Sequence, residues 1–528
     1  MTARRSGLLL PLFSCPTTTS WGIGDIGSVR VVAGWLAAAG QRAWQLLPLS
    51  EMAADEQSPY SALSAMAIDP LYIDLSAVPD FAAIGGEAAM DRVDREELAH
   101  VRAAPRVEYR PVRRLKRAAL AAAFARFVDA EWRHHTARAS ELAAFVLAER
   151  WWLADYALFR ALHADCHEAP WTAWPEALKR RDAAALEQER GRLAHRLLFH
   201  QYLQWLADTQ WRAARAAANA DGVSLLGDLP FMVDTDSADV WVWQDDFDLD
   251  VSVGVPPDAF SATGQDWGMP LYRWNHIGAN NFAWLRQRAA RAASLFDGYR
   301  IDHLVGFYRT YGRPRGGGAP FFTPPTEPEQ LALGERLIEV FRGAGAAIIA
   351  EDLGVVPDFV RASLDRLGVP GFRVFRWERH WKEEGAPFRD PGDYPAVSVA
   401  ISGTHDTETL AAWWDQAPES HRRLVGQLPT VSRITGGADL SSRAFDPIVR
   451  DAIVAALQAS GSDLVLLAIQ DVFGWRERIN EPATVSPDNW TFRLPWPADR
   501  LEESPEASAR QQALRAWAIE FTRVYSSR

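Results

Sequence analysis

The stretch Tyr299-Arg300-Ile301-Asp302-His303, preceded by Phe296-Asp297-Gly298, decides how this chain is read. Arg300 and Asp302 stand two residues apart with an apolar residue between them, so an extended strand carries both charged side chains on one side. A strand that ends in polar residues is a poor core element and a good place for chemistry. Two later apolar runs close in the same way, on Glu351 and on Asp406. Three carboxylates at three strand ends define a candidate reactive centre.

Working outward from that stretch, short apolar runs recur along the chain: Gly7–Phe13, Ala43–Leu47, Val223–Gly227, Gly298–Asp302, Ala346–Glu351, Phe372–Phe375, Val397–Ser402 and Leu464–Ile469. Most are separated by stretches of helical pattern. Eight such runs predict an α/β fold, a (β/α)8 TIM barrel, whose chemistry lies at the C-terminal ends of the strands. Asp228, Asp302, Glu351, Asp406 and Asp471 all sit at or just after a run.

Between the second and third runs, from about residue 79 to 219, the chain is rich in Ala, Arg, Glu and Leu. That length exceeds one crossover helix and predicts a largely helical insertion packed beside the barrel, with helices over Arg117–Arg133 and Glu141–His163. Trp151/Trp152, Tyr156 and Phe159 recur there at helical spacing and read as packing residues, and His134-His135 as surface. A Gly/Pro-rich segment, Arg313–Gln330, predicts a further loop insertion near the active face, a lid or a surface excursion. After Trp496 a terminal helix over Ser504–Tyr525 is expected, with no C-terminal β-sandwich. Residues 1–528 thus read as a single catalytic domain with an interrupted barrel.

Composition narrows the partners. With 528 residues, 48% hydrophobic and 23% charged, the chain has the makings of a large core. A net charge of −12 argues against nucleic acid or an anionic membrane as a partner. The two cysteines, Cys15 and Cys166, lack metal-ligand spacing and suit a reducing compartment. The apolar run Leu8-Leu9-Leu10 is interrupted by Pro11 and has no cleavage site, so it reads as the first strand and not as a signal peptide. No stretch is apolar enough to span a bilayer, and a cytoplasmic location is expected. Twenty-three tryptophans suit a protein that stacks rings on sugar faces, though most must serve packing.

Cleaving a glycosidic bond with retention needs one carboxylate as nucleophile and another as acid/base. Asp302, short and flanked by the cationic Arg300, suits the first role. Glu351, a longer carboxyl after the apolar Ile348-Ile349-Ala350, suits the second, because such a setting raises its pKa. Asp406, beside His405, could hold sugar hydroxyls and offset transition-state charge. Each alone equally suits a structural ion pair; three together point to a site. Elsewhere, Gly22-Ile23-Gly24 is too short for a dinucleotide loop, and Asp245-Asp246-Phe247-Asp248 lacks the Gly turn and distal Glu of a calcium loop and reads as a solvated loop.

These residues carry a family resemblance. Arg300-x-Asp302-His303, Ala350-Glu351-Asp352-Leu353-Gly354 and Gly403-Thr404-His405-Asp406 resemble the α-amylase-like clan of retaining α-glucan enzymes. More specifically, the chain resembles the 4-α-glucanotransferases (amylomaltases or disproportionating enzymes) of glycoside hydrolase family 77. That match rests on Trp21-Gly22-Ile23-Gly24-Asp25, Trp44-Gln45-Leu46-Leu47-Pro48-Leu49, Ser58-Pro59-Tyr60-Ser61 and Gly227-Asp228-Leu229-Pro230-Phe231. It rests above all on Gly254-Val255-Pro256-Pro257-Asp258, running through Gly264-Gln265-Asp266-Trp267-Gly268 to Pro270-Leu271-Tyr272-Arg273-Trp274, and it spans about residues 5–496.

The resemblance implies Asp302 as nucleophile, Glu351 as acid/base and Asp406 as transition-state stabiliser, with Arg300, His303 and His405 in the donor subsite. It implies Tyr60 as a ring that stacks on the sugar, and Asp258, Gln265 and Trp267 on a loop, Gly254–Trp274, covering the acceptor side. Ala262 stands where some relatives carry an acidic residue, and Asn480 and Asn489-Trp490 match family positions at the site rim or the barrel closure. No metal and no cofactor is implied. The substrates implied are α-1,4-glucans and malto-oligosaccharides, with glucose as acceptor; oligomeric state is left open. The alternatives are an α-glucan hydrolase of the same clan, in which water replaces the acceptor sugar, and a non-catalytic sugar-binding barrel.

Overall fold

The structure, a computed structural model, describes residues 4–524 apart from 54, 258–263 and 483. Twelve strands occur among them. Eight form a closed parallel barrel: β1 (Arg5–Leu9), β2 (Ala43–Gln45), β3 (Ser224–Leu229), β6 (Gly298–Ile301), β9 (Ala347–Ala350), β10 (Gly371–Val374), β11 (Ser398–Ile401) and β12 (Leu464–Ala468). Each coincides with one of the eight apolar runs. Both faces of such strands are covered, which is why they read as short continuous apolar runs and not as alternating ones. Ala43, Leu226, Ile349, Phe372, Val374, Val399, Ile401, Leu464 and Leu466 fill the barrel interior. Residues pointing outward, such as Tyr299 and Ile301 of β6, join the layer shared with the surrounding helices.

Helices Ile26–Ala38, Ala194–Ala220, Ala283–Leu295, Glu327–Arg342, Asp358–Leu367 and Pro447–Gln458 precede β2, β3, β6, β9, β10 and β12. The step from β10 to β11 departs from the pattern, with only a 3₁₀ turn, Pro391–Asp393, between them. After β12, helices Ile469–Phe473 and Pro505–Glu520 follow. At the N-terminal end of the barrel the buried Arg523 guanidinium donates to the carbonyls of Gln458 (2.5 Å), Ser460 (2.9 Å), Ser462 (3.0 Å) and Arg5 (3.2 Å). It stitches the entry of β1 to the turn before β12.

The long segment between β2 and β3 is helical from Pro79–Ala83 to Ala194–Ala220. Its last helix packs on Ile26–Ala38 and β3, as a crossover helix does, and the others stack outside it. A helix pair, Ala137–Ala148 and Arg150–Asp165, replaces the continuous helix expected over 141–163. Trp152, Tyr156 and Phe159 are buried, whereas Trp151 is 38% exposed; His134 and His135 lie on the surface. Buried polar contacts anchor this region to the active-face segments. Arg160 and Tyr156 both donate to Glu51, just after β2, and His163 bridges Glu168 (2.7 Å) and Asp236 (3.0 Å), the latter just after β3.

A second sheet was not anticipated. Strands β4 (Phe247–Val255), β5 (Gln265–Tyr272), β7 (Thr310–Pro314) and β8 (Phe321–Thr323) form a four-stranded antiparallel sheet in the order β5-β4-β7-β8. The described ends of the Gly254–Trp274 segment thus belong to strands, the end of β4 and all of β5, and Arg313–Gln330 contributes the end of β7 and all of β8. The reading of 245–248 as a solvated loop is also corrected. Asp246 is buried and accepts from His276 Nδ1 (2.8 Å) and Asn280 Nδ2 (3.1 Å) at the entry to β4. Asp258 and Ala262 lie outside the described residues.

Candidate active site

The site grows from the register of adjoining barrel strands. Asp228 of β3 pairs with Arg300 of β6, and Ile301 of β6 pairs with Ala350 of β9. Arg300 points into the barrel because Tyr299 and Ile301 face the helices. There it donates to both oxygens of Asp228 (2.8 and 2.7 Å) and, through Nη2, to Asp302 Oδ1 (2.7 Å). Burial pushes the Asp228 carboxyl up, against the pull of Arg300. Asp302 keeps 30% of its side chain accessible while the pair beneath it is buried.

Glu351 stands beside Asp302 on the next strand, its N–H bound to Ile301 O (3.1 Å). Its Oε2 accepts from the backbone N–H of His303 (2.8 Å). Burial raises its carboxyl to about 7, although Arg300 opposes the shift. Asp352 points the other way, accepting from Phe372 N (2.7 Å) and Arg361 (3.1 Å). Gly371 makes that possible, since a Cβ there would lie 2.5 Å from Asp352 Oδ2. His303 takes a left-handed φ of 44°, the conformation that turns its N–H toward Glu351. Burial pulls the His303 imidazole down to about 4 despite the nearby Asp302.

Asp406 follows β11. Burial would raise its carboxyl, but His405 Nε2 (3.2 Å) and Asn480 Nδ2 (2.6 Å) outweigh that and hold it at about 2. The same partnership raises His405 against its burial. Tyr60 closes this side. Its hydroxyl donates to Asp228 Oδ2 (2.9 Å), and its ring stacks on His405 at 5.2 Å and 23°.

Trp267 reaches the site through a defect in the small sheet. Ser252 pairs with Pro270 and Gly254 with Asp266, so β5 bulges between 266 and 270, with Gly268 at φ +72°. A bulge of this kind re-aims a side chain. Here the indole meets the His303 ring edge-on at 4.9 Å and 88°, and its Nε1 donates to Gln265 Oε1 (3.2 Å).

The structure thus gathers Asp302, Glu351, Arg300, His303, Tyr60, Asp406 and His405 at the C-terminal mouth of the barrel, with Gln265 and Trp267 on the neighbouring sheet. Asp471, also at a strand end, instead accepts from Leu410 N (2.6 Å) at the start of a helix and is buried away from the opening. Reasoning from sequence gave Asp228, Asn480 and Trp490 no definite role, yet all three touch the site. The strand-end position of Asp228 was a usable signal.

A profile of the 4-α-glucanotransferases, glycoside hydrolase family 77, matches residues 10–499. The chain belongs to this family. It is 35% identical to the 4-α-glucanotransferase of Thermus thermophilus over 529 residues, covering 97% of this chain and 98% of that one. The Chlamydia pneumoniae 4-α-glucanotransferase is 32% identical over 500 residues, covering 93% and 92%. Among solved structures, the amylomaltase from Streptococcus agalactiae in complex with acarbose superposes with a TM-score of 0.82 at 25% identity, covering 99% of this chain and 100% of that one. The chain is accordingly a 4-α-glucanotransferase, an enzyme of α-glucans.

For such a transferase, the ion pair beneath Asp302 is a point of failure. Arg300→Ala strands the carboxylate of Asp228, whose side chain is 0% exposed, without the cation whose Nη1 contacts both its oxygens. Losing one member of a buried pair costs about 3–5 kcal/mol. Chemical denaturation should show a loss of that size, together with loss of transfer activity.

Proposed function

We propose that the enzyme works by double displacement, with Asp302 as nucleophile and Glu351 as acid/base. The observation that carries this reading is the β6–β9 register. Ile301 pairs with Ala350, so the two acids leave neighbouring strands one residue later, side by side. Neighbouring strands lie about 4.8 Å apart, and retaining enzymes hold their carboxyls at about 5–5.5 Å. Asp302 attacks the anomeric carbon of an α-1,4-glucan while Glu351 protonates the departing chain. Glu351 then takes the proton from the 4-hydroxyl of an acceptor sugar, which displaces Asp302. Asp406 stays ionised and faces the developing positive charge. Arg300, His303 and His405 line the donor subsite, and Tyr60 offers a ring to the sugar.

Malto-oligosaccharides are the proposed donors, and glucose is among the acceptors. The small sheet, through Gln265 and Trp267, covers the acceptor side, and Asp258 is assigned there by resemblance. The whole chain is proposed to act as one catalytic unit. A cytoplasmic location fits the two free cysteines, and no helix among the described residues is long and apolar enough to cross a membrane.

The test is the product pattern from maltotriose. Glucose plus a ladder of chains longer than the substrate, with total reducing ends constant, supports the reading; a steady rise in reducing ends with no longer chains overturns it. Trp267→Ala should shift the balance toward water, raising the hydrolysis-to-transfer ratio about tenfold, because the indole that shields His303 is gone. The ratio is read from reducing ends against ladder products.

A further inference from the structure

Beyond the strand-end acids, one segment grips Asp406 from outside the barrel. After β12 residues 474–482 lead away from the barrel, and residues 484–491 lie back against them. Trp490 N–H donates to Ile479 O (2.7 Å), and Glu481 N–H donates to Asn489 Oδ1 (3.0 Å). From the base of this strap, three hydrogen bonds run to the turn carrying His405 and Asp406. Arg478 Nη2 donates to Asp406 O (2.7 Å), Asn480 N–H to His405 O (3.1 Å), and Asn480 Nδ2 to Asp406 Oδ1 (2.6 Å). Trp490 backs the arrangement from the other end, 5.6 Å from the His405 ring and 5.7 Å from Tyr60, in a left-handed conformation with φ 64°. A tryptophan takes that conformation only under strain, which the surrounding contacts must offset. Asn480 itself is 9% exposed, so its amide is fixed and desolvated.

We infer that Asn480 is a positioning residue of the transfer reaction: its amide N–H fixes the rotamer of Asp406 and keeps it an ionised acceptor throughout the cycle. The inference rests on the assignment of Asp406 as stabiliser of the transition state. Asp406 offers two oxygens. Nε2 of His405 takes Oδ2, and Nδ2 of Asn480 takes Oδ1, so rotation about χ2 is blocked from both sides. A donor placed this way supplies orientation that water would otherwise have to supply at each turnover.

A carboxyl at 480 gives a specific test. In Asn480→Asp one proton held between the two carboxyls restores a donor to Asp406 Oδ1, as Asn480 does in the native enzyme. When that proton leaves, two carboxylates face each other at hydrogen-bonding distance and the arrangement breaks. The charged groups that tune this proton are His405, Arg300, Asp228 and Asp302 on the barrel side, Arg478 and Glu481 on the strap, and the Tyr60 hydroxyl above.

The experiment measures kcat and KM for transfer from maltotriose between pH 5 and 8 in the wild type, Asn480→Ala, Asn480→Asp and Asp406→Asn, with thermal melts on each. Asn480→Ala should lose about 30-fold in kcat at every pH with KM changed less than threefold. Asn480→Asp should exceed Asn480→Ala by at least tenfold at pH 5 and fall to its level by pH 8. If the two variants track each other across pH, or if Asn480→Ala keeps wild-type kcat while Asp406→Asn is inactive, Asn480 has no positioning role. An active Asp406→Asn would instead overturn the assignment of Asp406. Asn489→Ala opens the strap without touching Asp406. If it reproduces the kcat loss of Asn480→Ala, and Asn480→Asp is not rescued at low pH, the strap is structural only and the inference fails.

Discussion

Asp302→Ala should lower kcat for transfer from maltotriose by about 10⁴-fold or more, the scale on which loss of a covalent nucleophile is felt. The effect should fall on chemistry and leave the fold in place. Asp302 is the exposed end of the Asp228–Arg300–Asp302 chain, and Arg300 keeps both bonds to Asp228 when it is removed. A melting temperature close to that of the wild type should therefore accompany the loss. Residual activity within tenfold of the wild type would remove Asp302 from the mechanism.

Glu351→Gln should cost about 10²–10⁴-fold, the usual contribution of a general acid/base. Its pH profile is the sharper readout. In the proposed mechanism Glu351 carries a proton to assist the leaving chain, and its carboxyl is raised to about 7 by burial. Wild-type kcat/KM should then fall as pH rises through about 7, the deprotonated form being inactive, and this alkaline limb should vanish in the Gln variant. A maltosyl fluoride donor, whose leaving group needs no proton, should restore the first displacement in Glu351→Gln. The second still lacks its base, so a maltosyl adduct on Asp302 should accumulate and be visible by intact mass. An alkaline limb that persists in the Gln variant would mean that another group supplies the proton.

The barrel was legible because buried parallel strands leave a plain trace: a few apolar residues and then a polar stop. Gly298–Ile301 followed by Asp302, and Ala347–Ala350 followed by Glu351, are such traces. The small sheet was not seen, although part of its signal was present. Leu249, Val251, Val253 and Val255 alternate with polar or small residues through β4, the period-2 pattern of a strand. Its partner β5 hides the pairing, since Gly268 and Pro270 interrupt it and the bulge breaks the register. Pairings across the barrel left no trace at all. Nothing local to Asp228 indicates that Arg300 lies opposite it, and Asp406 and Asn480 stand 74 positions apart with no pattern that joins them. The missing helix between β10 and β11 likewise has a local cause. Gly385, Pro387, Pro391, Gly392 and Pro395 stand in a segment with no sustained helical periodicity.

The seam held by Arg523 bears on when catalysis can begin. The site draws Tyr60 from beyond β2, Asp228 from β3, Asp302 from β6, Glu351 from β9, Asp406 from β11 and Asn480 from beyond β12. The ring on which they stand closes only where β12 meets β1, strands more than 450 residues apart in sequence. During synthesis the first strand therefore waits, one edge unpaired, until nearly the whole chain has emerged. No translation product that stops before β12 and Asn480 closes the ring or carries all six groups, so enzyme activity serves as a reporter of completed ring closure. A refolding chain should gain its helical signal early and its turnover only with the last, most non-local pairing.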